Sequence, residues 1–175
     1  MRETLFRGKR TINGGWAEGY LVVCDERYFI MPKDTISCFY NEGVRPGKYV
    51  FGEFVEVCCE TVEQFTGLTD KNGTRIFEGD IIKSDNGKRS AVSVVKFGDY
   101  FPRMFYAMLD MCVPGKRHLL AHGFYAVSID KGEEMILFQS PCVEVIGNIH
   151  ENPELLEAGD GNIKQKSIGG SKGDC

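Results

Sequence analysis

Two histidines, His118 and His122, stand four residues apart in Lys116-Arg117-His118-Leu119-Leu120-Ala121-His122, with Cys112 a short distance upstream. On a helix that spacing puts both imidazoles on one face, where two nitrogens and a thiolate form a candidate metal set. A His-Glu-x-x-His signature and paired cysteines are both missing. Gly115 and Gly123 frame a stretch that reads equally as strand or loop, so a solvated loop competes with the metal reading. A second pair, Glu78 and Asp80, closes Phe77-Glu78-Gly79-Asp80-Ile81-Ile82. On an extended strand the two carboxylates point to one side, as acid-base chemistry or Mg²⁺ binding requires. No second acidic cluster completes such a site. The structural alternative gives Gly79 a conformation that a Cβ would hinder and gives Asp80 nearby backbone amides to accept. Cys58-Cys59 cannot act as a Cys-x-x-Cys redox pair and reads as a buried thiol with an outward neighbour. No catalytic residue is assigned, and no cofactor is expected.

The stretch richest in unusual composition is Phe97-Gly98-Asp99-Tyr100-Phe101-Pro102-Arg103-Met104-Phe105-Tyr106. Phe101, Arg103, Phe105 and Tyr106, with Lys116 and Arg117 further on, define a candidate partner-binding surface. Rings interleaved with cations can stack bases and neutralise phosphates, which makes nucleic-acid binding by a basic and aromatic surface one reading. The same rings can fill a seam between subdomains, pack a subunit interface or meet another protein. Asp85, Asp99 and Asp110 interrupt the basic patch, and a net charge of -4 argues against binding nucleic acid through bulk charge.

These residues must be positioned by short strands. Asn13-Gly14, Asn72-Gly73 and Asn86-Gly87 separate segments rich in Val, Ile, Phe and Tyr, as tight turns between antiparallel strands do. Strands are expected at Trp16 to Cys24, Tyr28 to Met31, Tyr49 to Cys58, Arg75 to Phe77, Asp80 to Ser84, Ser90 to Phe97, Phe124 to Ile129, Met135 to Phe138 and Val143 to Asn148. Helix signals are brief. Thr61-Val62-Glu63-Gln64 has the spacing of a capping box with Gly67 as terminator, and Asn152-Pro153-Glu154 opens a second short helix. Residues 1–60 form an N-terminal β subdomain with an irregular linker, 61–157 a second β subdomain, and 158–175 a flexible tail too poor in apolar residues to order. The weak zone from Met31 to Gly47 carries Pro32, Asn41, Gly43, Pro46 and Gly47.

No apolar run approaches the roughly 18 to 20 residues of a membrane span, and Met1 to Gly8 lacks the apolar stretch of a signal peptide. A cytoplasmic protein with no membrane partner is expected. The 7 cysteines show no regular spacing, so reduced thiols are the default. The glycines of the tail follow no strand and open no helix, which leaves nucleotide hydrolysis unsupported.

Three separated motifs resemble one family. Phe65-Thr66-Gly67-Leu68-Thr69-Asp70-Lys71-Asn72-Gly73 followed by Ile76-Phe77-Glu78-Gly79-Asp80-Ile81-Ile82 is similar to the hallmark of the YopX family of phage and prophage proteins. Phe6-Arg7-Gly8-Lys9 with Trp16-Ala17-Glu18-Gly19-Tyr20-Leu21-Val22 resembles its opening strand pair. Val143-Glu144-Val145-Ile146-Gly147-Asn148-Ile149-His150-Glu151-Asn152-Pro153-Glu154-Leu155-Leu156 resembles its closing pattern. The resemblance runs from about Leu5 to Leu156. It implies a mainly β protein of two small subdomains; the Gly79-Asp80-Ile81-Ile82 strand start, typical of small barrels, adds the expectation that both are all-β and that the C-terminal one is a small SH3-like or KOW-like barrel, with one or two short helices. It carries no catalytic or ligand residues with it. The expectation for function is therefore a non-enzymatic phage or prophage accessory protein that binds a host or phage protein and self-associates through the aromatic segment. Nucleic-acid binding is the alternative.

Overall fold

Alternation of apolar and polar residues between Gly-containing turns carries most of the described residues into antiparallel strands. The computed structural model describes residues 4–33, 37–38, 49–50, 54–85, 87, 90–100, 121–137 and 139–157. Two units divide between Phe65 and Thr66.

The first unit contains β1 (Phe6–Lys9), β2 (Trp16–Cys24), β3 (Arg27–Pro32), β4 (Ser37–Cys38), β5 (Tyr49–Val50), β6 (Val55–Val57) and the start of β7 (Glu63–Thr69). Its main sheet runs β6-β3-β2-β1-β7, while β4 and β5 pair with each other. The register sets Gly8 opposite Ala17 and Leu21 opposite Ile30, so one face gathers Ala17, Ile30 and Val57 with Phe6, Leu21, Tyr28 and Val55 around them. On the other face, Nε of Arg7 donates to Oε2 of the buried Glu63 at 2.6 Å, and the same guanidinium lies 4.7 Å from the Trp16 ring centre.

The capping box expected at Thr61 to Gln64 is not a helix. A 3-10 turn spans Cys59–Thr61, and Glu63–Thr69 is strand. The Thr61 hydroxyl, which would have capped, instead accepts the Lys9 N–H at 2.8 Å and donates to the Cys58 carbonyl at 2.8 Å. Strand period then buries Glu63 and Phe65, and the Phe65 N–H donates to the Leu5 carbonyl at 2.8 Å. The adjacent cysteines also depart from expectation, since Cys58 is exposed and Cys59 only partly covered.

The second unit continues β7 into β8 (Arg75–Phe77), then β9 (Asp80–Asp85), β10 (Ser90–Tyr100), β11 (Ala121–Ser128), β12 (Glu134–Ile136), β13 (Val143–Asn148) and a short helix, Glu154–Glu157. That helix lies where Asn152 and Pro153 announce it. The Leu155 N–H reaches the Asn152 carbonyl at 3.1 Å, while the Asn152 side chain turns back to accept the Asn148 N–H at 3.4 Å. Ile76, Ile82, Val95, Ala126 and Val143 form the core, with Leu68, Leu137 and Val145 against them.

The five-stranded sheet has the linear order β12-β11-β10-β9-β13. Its all-β character agrees with the expected fold, but no ladder closes it into a barrel among the described residues. At the β12 side the chain is tied across by a side chain: Gln139 donates to the Thr69 carbonyl at 2.8 Å and accepts the Thr69 N–H at 3.3 Å.

Candidate binding site

The acidic stretch after β8 is a bracket built around backbone groups. Its hinge is Gly79, whose φ of +75° belongs to the left-handed region that favours glycine. This turn lets the Asp80 carboxylate fold back and accept the Phe77 N–H at 2.7 Å, while Asp80 itself is 1% exposed. From the same turn, the Gly79 N–H donates to the Val95 carbonyl at 2.9 Å and the Gly79 carbonyl accepts the Ile149 N–H at 3.0 Å. The half-buried Glu78 completes the bracket by accepting the Phe97 N–H. Burial pushes its carboxyl above the usual range, and the Phe97 N–H offsets part of that rise. One carboxylate is thus sealed into the core and the other holds a strand edge, so the pair does not converge on open space.

A turn in the same unit shows the same economy. Burial alone would raise the Asp70 carboxyl, but N–H groups of Val145, Thr74 and Asn72 point at it and hold it below its ordinary value. The distances are 3.1, 2.8 and 2.8 Å.

The exposed chemistry lies further along β10 and β11. These strands pair from Ser93 opposite Ser128 to Tyr100 opposite Ala121. Strand β9 accompanies β10 only as far as Val94, and β12 accompanies β11 only over Tyr125 to Val127. Beyond those limits the ladder has two strands among the described residues. On one face the pairs run Ser93 and Ser128, Val95 and Ala126, Phe97 and Phe124, then Asp99 and His122. The first two pairs are buried. The face then leaves the core with its aromatic residues still in line.

Phe97 is 44% exposed. Its ring meets His122 edge-on at 4.9 Å and Phe124 at 4.8 Å. The Asp99 Oδ1 lies 2.7 Å from Nδ1 of His122, with both side chains open to solvent. Two rings, an imidazole and a carboxylate therefore share one outward surface. On the opposite face Gly98 and Gly123 present no side chains, and Tyr100 stacks on Tyr125 at 4.9 Å.

Of the residues singled out from sequence, His122 is placed on strand β11, not on a helix, with Asp99 as its neighbour. Cys112 and His118, the other members of the metal set, lie outside the described residues. So do Phe101, Arg103, Phe105, Tyr106, Lys116 and Arg117. The structure divides the aromatic run at its start: Tyr100 is 8% exposed and packs, whereas Phe97 faces out. Phe124 and His122 were not joined to Phe97 and Asp99 by sequence reasoning. The signal that joins them is strand register across a long connection, which composition does not carry.

The described residues thus define an antiparallel β protein of two units whose acidic motif is internal and whose exposed Phe97, beside the partly buried Phe124, extends a core face into solvent. The family model described as YopX protein matches residues 6–157, and the chain belongs to the YopX family. No curated protein matches it in sequence. Among solved structures, it is similar to protein EF1440 from Enterococcus faecalis at 24% identity, covering 90% of this chain and 100% of that one with a TM-score of 0.49.

Proposed function

We propose that this YopX-family protein is a non-enzymatic accessory protein of a phage or prophage that works in the bacterial cytoplasm by binding a partner protein. The observation that carries the reading is Phe97, an aromatic ring 44% exposed on a face that is core a few residues earlier. Exposing such a ring forgoes burial worth about 2 kcal/mol, and aromatic rings at a surface are characteristic anchors of protein interfaces. The position of Asp80 supports binding over catalysis, because a carboxylate sealed against the Phe77 amide is not offered to a substrate.

The test is a photo-crosslinking amino acid placed at Phe97, with one at Ile12 as control. Ile12 is 95% exposed in the turn between β1 and β2. After irradiation in the host, a discrete nuclease-resistant protein adduct at position 97 and none at 12 is expected. A nuclease-sensitive adduct would transfer the surface to nucleic acid, and equal labelling at both positions would remove the protein-binding reading.

A further inference from the structure

The two outer edges of the five-stranded sheet are treated differently. At the β13 edge, the Asp70 turn covers the strand: the Lys71 N–H donates to the Val143 carbonyl at 2.9 Å, and the Val145 N–H donates to the Asp70 carboxylate at 3.1 Å. A bulge between Val145 and Gly147 distorts the same strand. Covering and bulging are the usual protections of a sheet edge. Inside the sheet, the bracket at Glu78 and Gly79 covers β10 where β9 ends.

Strand β12 has neither protection among the described residues. It terminates the sheet order, and Met135 and Ile136 are 38% and 40% exposed. Their side chains fall on opposite faces, so the strand presents apolar surface above and below its edge. The Ser128 N–H donates to the Glu133 carbonyl at 2.9 Å, which fixes the phase of the ladder. Alternation then makes Met135 the next residue hydrogen-bonded to β11, opposite Ala126, and turns the N–H and C=O of Ile136 away from it. The segment leading into the strand is acidic, with the exposed Lys96 two strands away. Asp130 and Glu133 are exposed, Glu134 is partly so, and Lys131 is the one cation between Asp130 and Ile136. The hydroxyl of Tyr125, opposite Ile136, is held protonated above its ordinary range by burial and then by the charges of Glu134, Glu78 and Asp99.

We infer that the open edge of β12 is a strand-addition site, taking an extended segment of a partner protein that alternates basic and apolar residues. Ile136 supplies main-chain hydrogen bonds, Met135 and Ile136 supply apolar contact on the two faces, and the acidic residues select cationic side chains. The site is separate from the Phe97 surface and does not depend on it.

The probe is a fluorescein-labelled peptide alternating arginine and valine, titrated into the full chain and followed by anisotropy. Saturable binding is expected, weakened about tenfold or more when alternate peptide amides are N-methylated, since methylation removes the donors of strand pairing. Ile136→Pro removes the outward N–H while sparing the ladder to β11, as proline on an edge strand does, and should weaken binding similarly. Glu133→Lys should weaken it less. Amide chemical-shift changes should centre on Met135 to Leu137 in the unaltered protein, a readout that stands even where Ile136→Pro does not fold. The inference is overturned by absence of saturable binding, by equal affinity for the methylated peptide, or by shift changes centred elsewhere. An outcome in which the Phe97 adduct is lost while the peptide still shifts Ile136 would sink the aromatic reading and leave this one intact.

Discussion

Asp80 and Asp99 belong to the same unit and to neighbouring strands, yet they serve opposite ends. Asp80 is 1% exposed and accepts the Phe77 N–H, whereas Asp99 stands in solvent beside His122. A carboxylate turned inward onto backbone amides contributes to the fold, because removing it strands donors that have no water. A carboxylate turned outward onto an imidazole contributes little, since an exposed ion pair is worth at most about 1 kcal/mol. The acidic motif that first attracts a catalytic reading is thus spent on architecture. The surface proposed for recognition lies where strands β10 and β11 outrun their neighbours among the described residues.

The largest effect that sharpens this contrast belongs to Asp70. Three backbone N–H groups converge on the buried Asp70 carboxylate, and Asp70→Ala removes their acceptor beneath an exposed turn, so a loss of about 2 to 3 kcal/mol in urea unfolding is expected. The pH dependence has a definite sign. The folded-state pKa of Asp70 lies below its ordinary 3.8, so its contribution is fully present above that value and is lost as pH falls through the folded value. The deficit of Asp70→Ala against the unaltered protein should be constant from neutrality to about pH 4 and should shrink below it.

Next comes the hinge of the bracket. Gly79→Ala forces a Cβ into a φ of +75° and should cost about 1 to 2 kcal/mol. Glu78→Gln tests the same bracket with the opposite pH sign. Its carboxyl is raised by burial, so the contribution from that shift is present below the ordinary 4.5 and is lost as pH rises through the folded value. Glu78→Gln keeps an acceptor for the Phe97 N–H and removes the charge. Its melting temperature should exceed that of the unaltered protein at pH 8, and the difference should disappear by pH 4.

The smallest effect is expected on the outward surface. His122→Gln and Phe97→Ala should each change unfolding free energy by no more than about 0.5 to 1 kcal/mol, because both side chains are substantially exposed. Phe97→Ala should nonetheless abolish the protein adduct of a cross-linker moved to the neighbouring Asp99 position. A large stability loss from either substitution would show that the surface is packed, and the contrast with the bracket would fail.

Much of the architecture is legible in the chain. Asn13-Gly14 and Asn72-Gly73 mark hairpins that the structure contains, and Trp16–Cys24, Arg75–Phe77 and Val143–Asn148 fall where alternation places them. The structural reading of Gly79 and Asp80 follows from residue type alone, and their geometry agrees with it. Strand β7 is illegible for a physical reason: Thr61, Gln64 and Gly67 carry the local signals of a capped and terminated helix, while the partners that hold this segment, Leu5, Arg7 and Lys9, are distant in sequence. The extension of β10 through Gly98 and Asp99 is hidden similarly, because both residues read as breakers until Gly123 and His122 are set opposite them. The covering of β13 by Asp70 spans the whole unit and leaves no local trace.

The most direct test of the central claim is urea unfolding of Asp80→Ala and Asp99→Ala, measured side by side at neutral pH. The account predicts a loss of about 2 kcal/mol or more for Asp80→Ala and no more than about 0.5 kcal/mol for Asp99→Ala, with both variants keeping the denaturant slope of the unaltered protein. Equal losses, or a larger one at Asp99, would contradict the division between an inward acidic bracket and an outward, solvent-facing surface.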